Sequence, residues 1–511
     1  MTKFEKRYDV IIIGSGLGGL VCGAILAKEG KRVCIIEKNE QIGGCLQTFK
    51  RDGVTFDTGV HYIGGLEKGK NLWKVFNYLG IMNRLETVKM DEAGFDMVSF
   101  KGDVTEYPYG MGYENFQRNL LQKFPKEKIA IEKYCSDMQR ICASVPLYNL
   151  SAEEQSDDTW AFTTGIKDYL EQLTSHKKLQ HVLAGTNLLY AGVADKTPLY
   201  VHALVVNSYI ESAHRIKNGG DQIAKLLVRV VKENGGEVLR KKEVKKINAA
   251  PGIAESVELD SGEKIYGELF ISGIHPAKTL ELTESDAIRP AYRNRIASLE
   301  NSVSTFVLYA VLKPGSFPYR NRNYYYFNQE DVWQTGTHTA ESWPSMYALF
   351  EEVPHNENGY TEGISIMTYM RFDEVEQWKD SFHTTLNENM RDEAYQQFKK
   401  EKTEKLLDVV ELKFPNIRAC IQSYYTSTPL SYRDYMGTTD GSMYGIVKDY
   451  KEPLKSMISV KTKVPNLLLT GQSINLHGVL GVTECALLTC MSILGKEYLL
   501  NKIHKANAQT I

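Results

Sequence analysis

The sequence predicts an α/β fold carrying an inserted α+β region. Three stretches predict it: an opening strand, glycine turn, helix and strand; a closing apolar strand and glycine loop; and a middle of mixed periodicity. At 511 residues the chain is long enough for two or three cores. The opening unit is residues 8–37, YDVIIIGSGLGGLVCGAILAKEGKRVCIIE. Residues 8–13 form a short β-branched apolar run, suited to a strand buried on both faces of a parallel sheet. Gly14, Gly16 and Gly19 follow in G-x-G-x-x-G spacing around Leu17 and Gly18. The first allows a tight turn, the second lets backbone approach a pyrophosphate, and the third lets the next helix pack on the strand. That helix is predicted over 17–29 with a stop at Gly30, and its first N–H groups point at the phosphates. Residues 32–36 supply a second strand, with Glu37 and then Lys38 at its carboxyl end, where an acid accepts hydrogen bonds from ribose hydroxyls. The unit reads as a Rossmann-type dinucleotide site. Residues 10–27 are uncharged and as long as a membrane span, but their five glycines and the change from strand to helix argue against one.

The continuation separates flavin from nicotinamide. Residues 41–48 read QIGGCLQT and residues 53–62 read GVTFDTGVHY. A second glycine pair just after the acid has no use in a nicotinamide dehydrogenase, but it lets backbone pass close to an extended flavin dinucleotide. The chain thus resembles the group that includes phytoene desaturases, carotene isomerases and amine oxidases, in which FAD is held by G-x-G-x-x-G, an acid and G-G-x-x-x-T. Gly43, Gly44 and Thr48 match the last of these, whereas Cys45 stands where many members carry arginine. The resemblance implies a glutathione-reductase-like, Rossmann-type FAD-binding domain with an inserted α+β substrate domain. It also implies that the segment after Asp57, Thr58 and Gly59 passes near the flavin ring, bringing Val60 and His61 to the coenzyme. His61 and Tyr62 are then the candidate proton donors, a structural role for His61 being the alternative.

Composition bounds the partners. A net charge of −2 suggests no nucleic-acid partner, and the basic run 240–246, RKKEVKK, reads as a solvated strand flank. Eight scattered cysteines show no C-x-x-C pair, which argues for a reducing compartment and against zinc or a disulfide framework. The N-terminal eight residues, MTKFEKRY, go straight into the first strand and leave no room for a signal peptide, so cytoplasmic residence is expected.

Helical spacing is predicted over 73–79, 113–124 and 129–142. Residues 187–209 are nearly uncharged and read either as a buried core helix or as the wall of a long apolar pocket. Ile223 to Val231 fall at helical spacing before Gly235 and Gly236, and strands are expected at 237–239, 244–247, 254–259, 264–266 and 269–272. Beyond them, strands are expected at 304–312 and 364–370, another strand holding Tyr324, Tyr325 and Tyr326, and a charged helix near 387–407. Five segments result: coenzyme domain at 1–69, 213–300 and 430–511, substrate domain at 70–212 and 301–429. Residues 464–470 are the closing strand, followed by Gly471, Gln472, a loop with Gly478 and Gly481, and a helix beginning near Val482 and Thr483. In the flavin group this strand reaches the ribityl phosphate and the last helix aims its positive end at the ring; the strand corresponding to Val244 lies against the adenine.

Within the group, the segments FDTGVHYIGG, HALVVNSYI and NLLLTGQS resemble the retinol saturase family, with similarity running essentially end to end. This implies reduction of one carbon–carbon double bond in a lipophilic isoprenoid polyene, with peripheral membrane contact an open expectation. A carotenoid-type desaturase or isomerase is the alternative. An amine oxidase fits less well, because residues 471–481 contain no Trp, Tyr or Phe for an aromatic cage. A non-catalytic prenyl-binding escort protein would share the architecture, yet needs neither Glu37 nor an intact glycine loop. His477 is a second candidate proton donor. There is no second glycine fingerprint, since Gly110, Met111 and Gly112 lack the third glycine and the strand. The electron source is therefore NAD(P)H visiting the cleft, another reductant, or an oxidative direction of reaction. The oligomeric state is left open.

Overall fold

The first strand organises the sheet around it. The computed structural model describes residues 7–153, 159–250, 252–355, 358–386 and 391–508. In it Arg7–Ile13 is flanked in parallel by Val33–Ile36 on one side and Lys264–Ser272 on the other. Glu237–Leu239 extends the sheet beyond Val33–Ile36, and Leu467–Leu469, from near the end of the chain, pairs in parallel with Lys264–Ser272. Ser256–Leu259, Val244–Asn248 and Thr283–Glu284 complete eight strands. The two faces follow the strand period. Val10, Ile12, Val33 and Ile35 pack under the helices Leu17–Lys28, Asp221–Glu233 and Gly478–Leu494, while Ile11, Ile13, Cys34 and Ile36 pack on the opposite side. The helix Leu17–Lys28 is buried from Leu17 to Ala27, which accounts for the absence of charge before Lys28. Among the described residues no helix is long and apolar enough to cross a membrane.

A second sheet of seven strands stands apart from the first. Its order is Ile421–Ser427, Ser304–Leu312, Gly363–Met370, Met346–Glu351, Asn323–Phe327, Asp96–Phe100 and Tyr107–Tyr109, antiparallel except where Asn323–Phe327 meets Asp96–Phe100. Tyr309, Tyr325 and Phe350 face the helical part of the molecule, whereas Tyr324, Tyr326 and Tyr347 lie with the helix Glu393–Glu411.

Three readings of the sequence differ from this arrangement. Residues 264–266 and 269–272 belong to one strand, Lys264–Ser272, because both halves pair with Arg7–Ile13. Residues 187–209 are a 3₁₀ turn, Asn187–Tyr190, and a separate helix, Leu199–Glu211, since Ala191 at φ +47° and Pro198 interrupt them. The closing helix starts at Gly478, four residues before Val482. The expected start of the charged helix, Asn387, lies outside the described residues.

Candidate active site

The glycines of the first turn have three different surroundings. Gly14 has φ +91°, a conformation that favours glycine. A Cβ on Gly19 would lie 2.3 Å from the Gly14 carbonyl oxygen, so the helix can sit on the turn only without a side chain there. A Cβ on Gly16 would meet nothing within 4 Å, because this residue opens into a cavity. The second glycine pair is layered on the same turn: Gly43 N–H donates to the Ser15 carbonyl at 3.0 Å, and a Cβ on Gly44 would stand 3.2 Å from Gly16 Cα. Glu37 closes the arrangement. Its Oε2 accepts from Ser15 N–H (2.9 Å) and Ser15 Oγ (2.6 Å), and its Oε1 accepts from Asn39 N–H (2.9 Å). A carboxylate has about four acceptor sites, so the anchored acid keeps capacity for a ribose hydroxyl.

The end of the chain completes this wall. A Cβ on Gly18 would lie 3.1 Å from Gly471 N, so the opening helix and the closing loop touch through glycine backbone. Gly471 itself has φ +106°. One cavity runs from Gly14, Glu37 and Val244 past Gly44, Cys45 and Gln472 to Val60, His61 and Val482, and continues between Leu189, Tyr209, Phe350, Met367 and Tyr444. Leu17, Gly18, Lys38, Gly43, Tyr62 and Gly471 also line it. Leu188, Leu189 and Tyr209 bring part of residues 187–209 to this wall, most of the helix Leu199–Glu211 packs in the core, and the turn around Asp195 is exposed.

Four expected coenzyme contacts do not line the cavity. Gly19 serves helix packing, and Thr48 Oγ1 donates to Asp221 Oδ2 (3.1 Å), tying the glycine loop to the helix Asp221–Glu233. A Cβ on Gly481 would lie 2.5 Å from Leu476 Cβ, and Thr483 Oγ1 donates within its own helix to the Val479 carbonyl (2.7 Å). Burial pushes the Cys45 thiol up to about 11, so it brings no charge where many resembling proteins carry arginine. Lys38 reaches the cavity with its Nζ on the Asp434 carbonyl at 3.2 Å.

His61 stacks on Phe350 with ring centroids 4.3 Å apart, and both its ring nitrogens are buried without a hydrogen-bond partner. Burial, then the Arg215 charge, lower it to about 3, so it is neutral near pH 7. Such a ring suits hydrogen bonding to a bound group better than delivering a proton. Tyr62 differs: its hydroxyl donates to Asp96 Oδ2 at 2.8 Å and lies 2.7 Å from the Tyr325 hydroxyl. His477 donates from Nε2 to the Leu189 carbonyl (3.1 Å) and lies against Tyr444, so it braces a loop rather than facing the main cavity. Asp96, Asn323 and Phe350 escape sequence reading because they come from distant strands, and Tyr444 because only the fold brings its loop to the cavity. The one available signal is an aspartate opening the strand Asp96–Phe100, which is apolar apart from Ser99. Residues 471–481 have no aromatic side chain, but Tyr209 and Tyr444 from elsewhere in the chain both line the cavity.

Fold and cavity together define a class: a Rossmann-type dinucleotide-binding protein of oxidoreductase architecture, with a separate sheet facing the coenzyme cleft. Residues 12–79 match the NAD(P)-binding Rossmann-like domain family. The chain is similar to the all-trans-retinol 13,14-reductase of Rattus norvegicus, 26% identical over 97% of this chain and 87% of that one. It is also similar to the chloroplastic prolycopene isomerase of Daucus carota, 23% identical over 92% of this chain and 77% of the relative. Among solved structures, cyclohexylamine oxidase from Brevibacterium oxydans IH-35A superposes with a TM-score of 0.62 at 15% identity, covering 98% of this chain and 99% of that one. That likeness is one of fold.

Proposed function

We propose that the protein is an FAD-dependent oxidoreductase that saturates one carbon–carbon double bond of a lipophilic isoprenoid polyene. The observation that carries this reading is the single cavity that begins at a dinucleotide turn and ends between apolar and aromatic side chains. Its residues fit an extended flavin dinucleotide. Gly16 leaves the space a pyrophosphate needs, Glu37 is anchored for the ribose, and the two unpartnered nitrogens of His61 await a hydrogen-bonding neighbour. The N-terminus of Gly478–Leu494 lies at the same cavity through Gly478, Val479 and Val482, where a positive helix end favours a reduced, negatively charged ring. Bound reduced FAD supplies a hydride equivalent to one alkene carbon.

The chain's own residues supply the rest. Leu189, Phe350 and Met367 hold a hydrocarbon chain and exclude water, and Tyr209 and Tyr444 confine it laterally. His61 positions the coenzyme and Tyr62 delivers the proton to the neighbouring carbon. The similarity to reductases and isomerases acting on polyenes supports this substrate class. Anaerobic incubation of the reduced, FAD-loaded protein with retinoids and carotenoids, followed by product mass, tests the reading. A gain of two mass units is expected; a loss of two, or a change of geometry at constant mass, would instead favour the desaturase or isomerase alternative.

A further inference from the structure

Behind the cavity wall lies a buried acid that no element of the dinucleotide site requires. Asp96 opens the strand Asp96–Phe100, is fully buried, and has both oxygens engaged. Its Oδ2 accepts from the Tyr62 hydroxyl at 2.8 Å, and its Oδ1 accepts from Asn323 Nδ2 at 2.8 Å. The amide of Asn323 is held in turn by Arg215 Nη2, 2.8 Å from its Oδ1, and Arg215 is itself buried. The one cation in this network therefore reaches Asp96 through an amide rather than directly. A direct pair in an apolar interior would fix the acid as a carboxylate. An intervening neutral amide leaves it free to exist in either form.

The other groups facing Asp96 are phenols: Tyr62, Tyr325 and Tyr209 on the cavity side, and Tyr109 across the neighbouring strand pair. None of them carries a positive charge; burial outweighs the hydrogen bonds from Asn323 and Tyr62, and then Arg215, all of which favour the carboxylate, and holds Asp96 at about 7. Burial also raises Tyr62 well above the usual phenol range, so a lone tyrosinate is costly there. If Tyr62 gives up a proton, it needs one returned in the same event.

We propose that Asp96 and Tyr62 form a proton relay into the cleft, in which the Tyr62 hydroxyl protonates the substrate carbon and the Asp96 carboxyl restores Tyr62. This rests on the polyene-reductase reading. The balance is closed: one alkene carbon receives hydride from the reduced flavin, and the other forms a C–H bond as the Tyr62 O–H bond breaks. In the protonated form of Asp96 the 2.8 Å bond runs from the carboxyl O–H to the Tyr62 oxygen, and that O–H bond breaks as the Tyr62 hydroxyl is remade. Asp96 is left as a carboxylate held by Asn323, and takes a proton from solvent before the next turnover. Asp96 is a positioning and proton-supplying residue, and Tyr62 is the residue that touches substrate.

The test uses the FAD-loaded full chain in two measurements. Infrared difference spectra of the resting protein against pH are expected to show a protonated-carboxyl band that titrates near neutrality. The band should vanish in Asp96→Asn and shift in Tyr62→Phe. In single turnovers, polyene-dependent oxidation of the reduced flavin should slow as pH rises through about 7. Asp96→Asn, which keeps size but exchanges one acceptor oxygen for an NH2 donor with no acid proton to give, should lose roughly 10²- to 10⁴-fold in rate together with that pH limb. Tyr62→Phe should lose as much, while Tyr325→Phe should keep most of the rate. Wild-type rate and pH profile in a folded, FAD-bound Asp96→Asn would overturn the relay, as would full activity in Tyr62→Phe. Failure of any polyene to reoxidise the wild-type reduced flavin would instead refute the functional reading.

Discussion

Glu37 and His61 are opposites in how they stand before any coenzyme arrives. Glu37 accepts three hydrogen bonds from Ser15 and Asn39, so it latches the turn, and the proposed ribose contact would use its remaining acceptor capacity. Glu37→Ala should weaken FAD binding by about 10- to 100-fold, the equivalent of one charge-assisted hydrogen bond of about 1.5–3 kcal/mol, measured by titrating coenzyme-free protein. His61 satisfies nothing in the protein itself. His61→Phe should therefore leave the melting temperature of the coenzyme-free protein unchanged or raised, while FAD affinity falls; a drop in melting temperature would show that the ring is structural. Glu37 is legible in the sequence because its partners are local and its place follows from a spacing. Asp96 is not, because Tyr62 is 34 positions away and Asn323 is 227, and only the sheet brings them together.

The strand, turn and helix at 7–28 show how far a local pattern carries. The uncharged run is a strand buried on both faces joined to a buried helix, so the same apolarity that suggests a membrane segment is explained by packing. The glycines of the turn separate a packing role from a binding role. Gly16→Ala puts its Cβ into open space at φ −61°, so the coenzyme-free protein should melt as the wild type does while FAD binding weakens. Gly19→Ala drives its Cβ onto the Gly14 carbonyl and should destabilise the protein by about 1–3 kcal/mol with or without coenzyme. Equal melting of the two variants would contradict this assignment. Residues 187–209 were legible only as apolar. Whether such a run is one helix or two pieces depends on a left-handed Ala191, a conformation that alanine seldom adopts and that only the surrounding fold imposes.

At the scale of the molecule, the buried acids set a dependence on pH. Glu484 in the closing helix is 3% exposed, has no hydrogen-bond partner on Oε1, and is pushed by burial from an ordinary 4.5 up to about 8. The folded chain binds this proton more tightly than the unfolded chain does. Its stabilising contribution is thus full below about 4.5 and is lost as pH rises through about 8. Glu484→Gln should melt higher than wild type above pH 8 and gain no such advantage below pH 4.5. Glu352 and Asp96, both raised to about 7 by burial, act with the same sign and remain in the variant, so the slope should shrink without disappearing. The larger architecture was legible because each end of the chain carries its own glycine signature, whereas the seven-stranded sheet has only strand periodicity to announce it. The convergence of those ends, Gly18 against Gly471, is the feature on which the rest depends. A titration of purified, coenzyme-stripped protein with FAD, followed by visible absorbance, reaches it most directly. The expected result is one FAD per chain with flavin bands, weakened alike by Gly16→Leu from the opening turn and Gln472→Leu from the closing loop. Protein that stays colourless with FAD, or binding that survives Gln472→Leu unchanged, would contradict it.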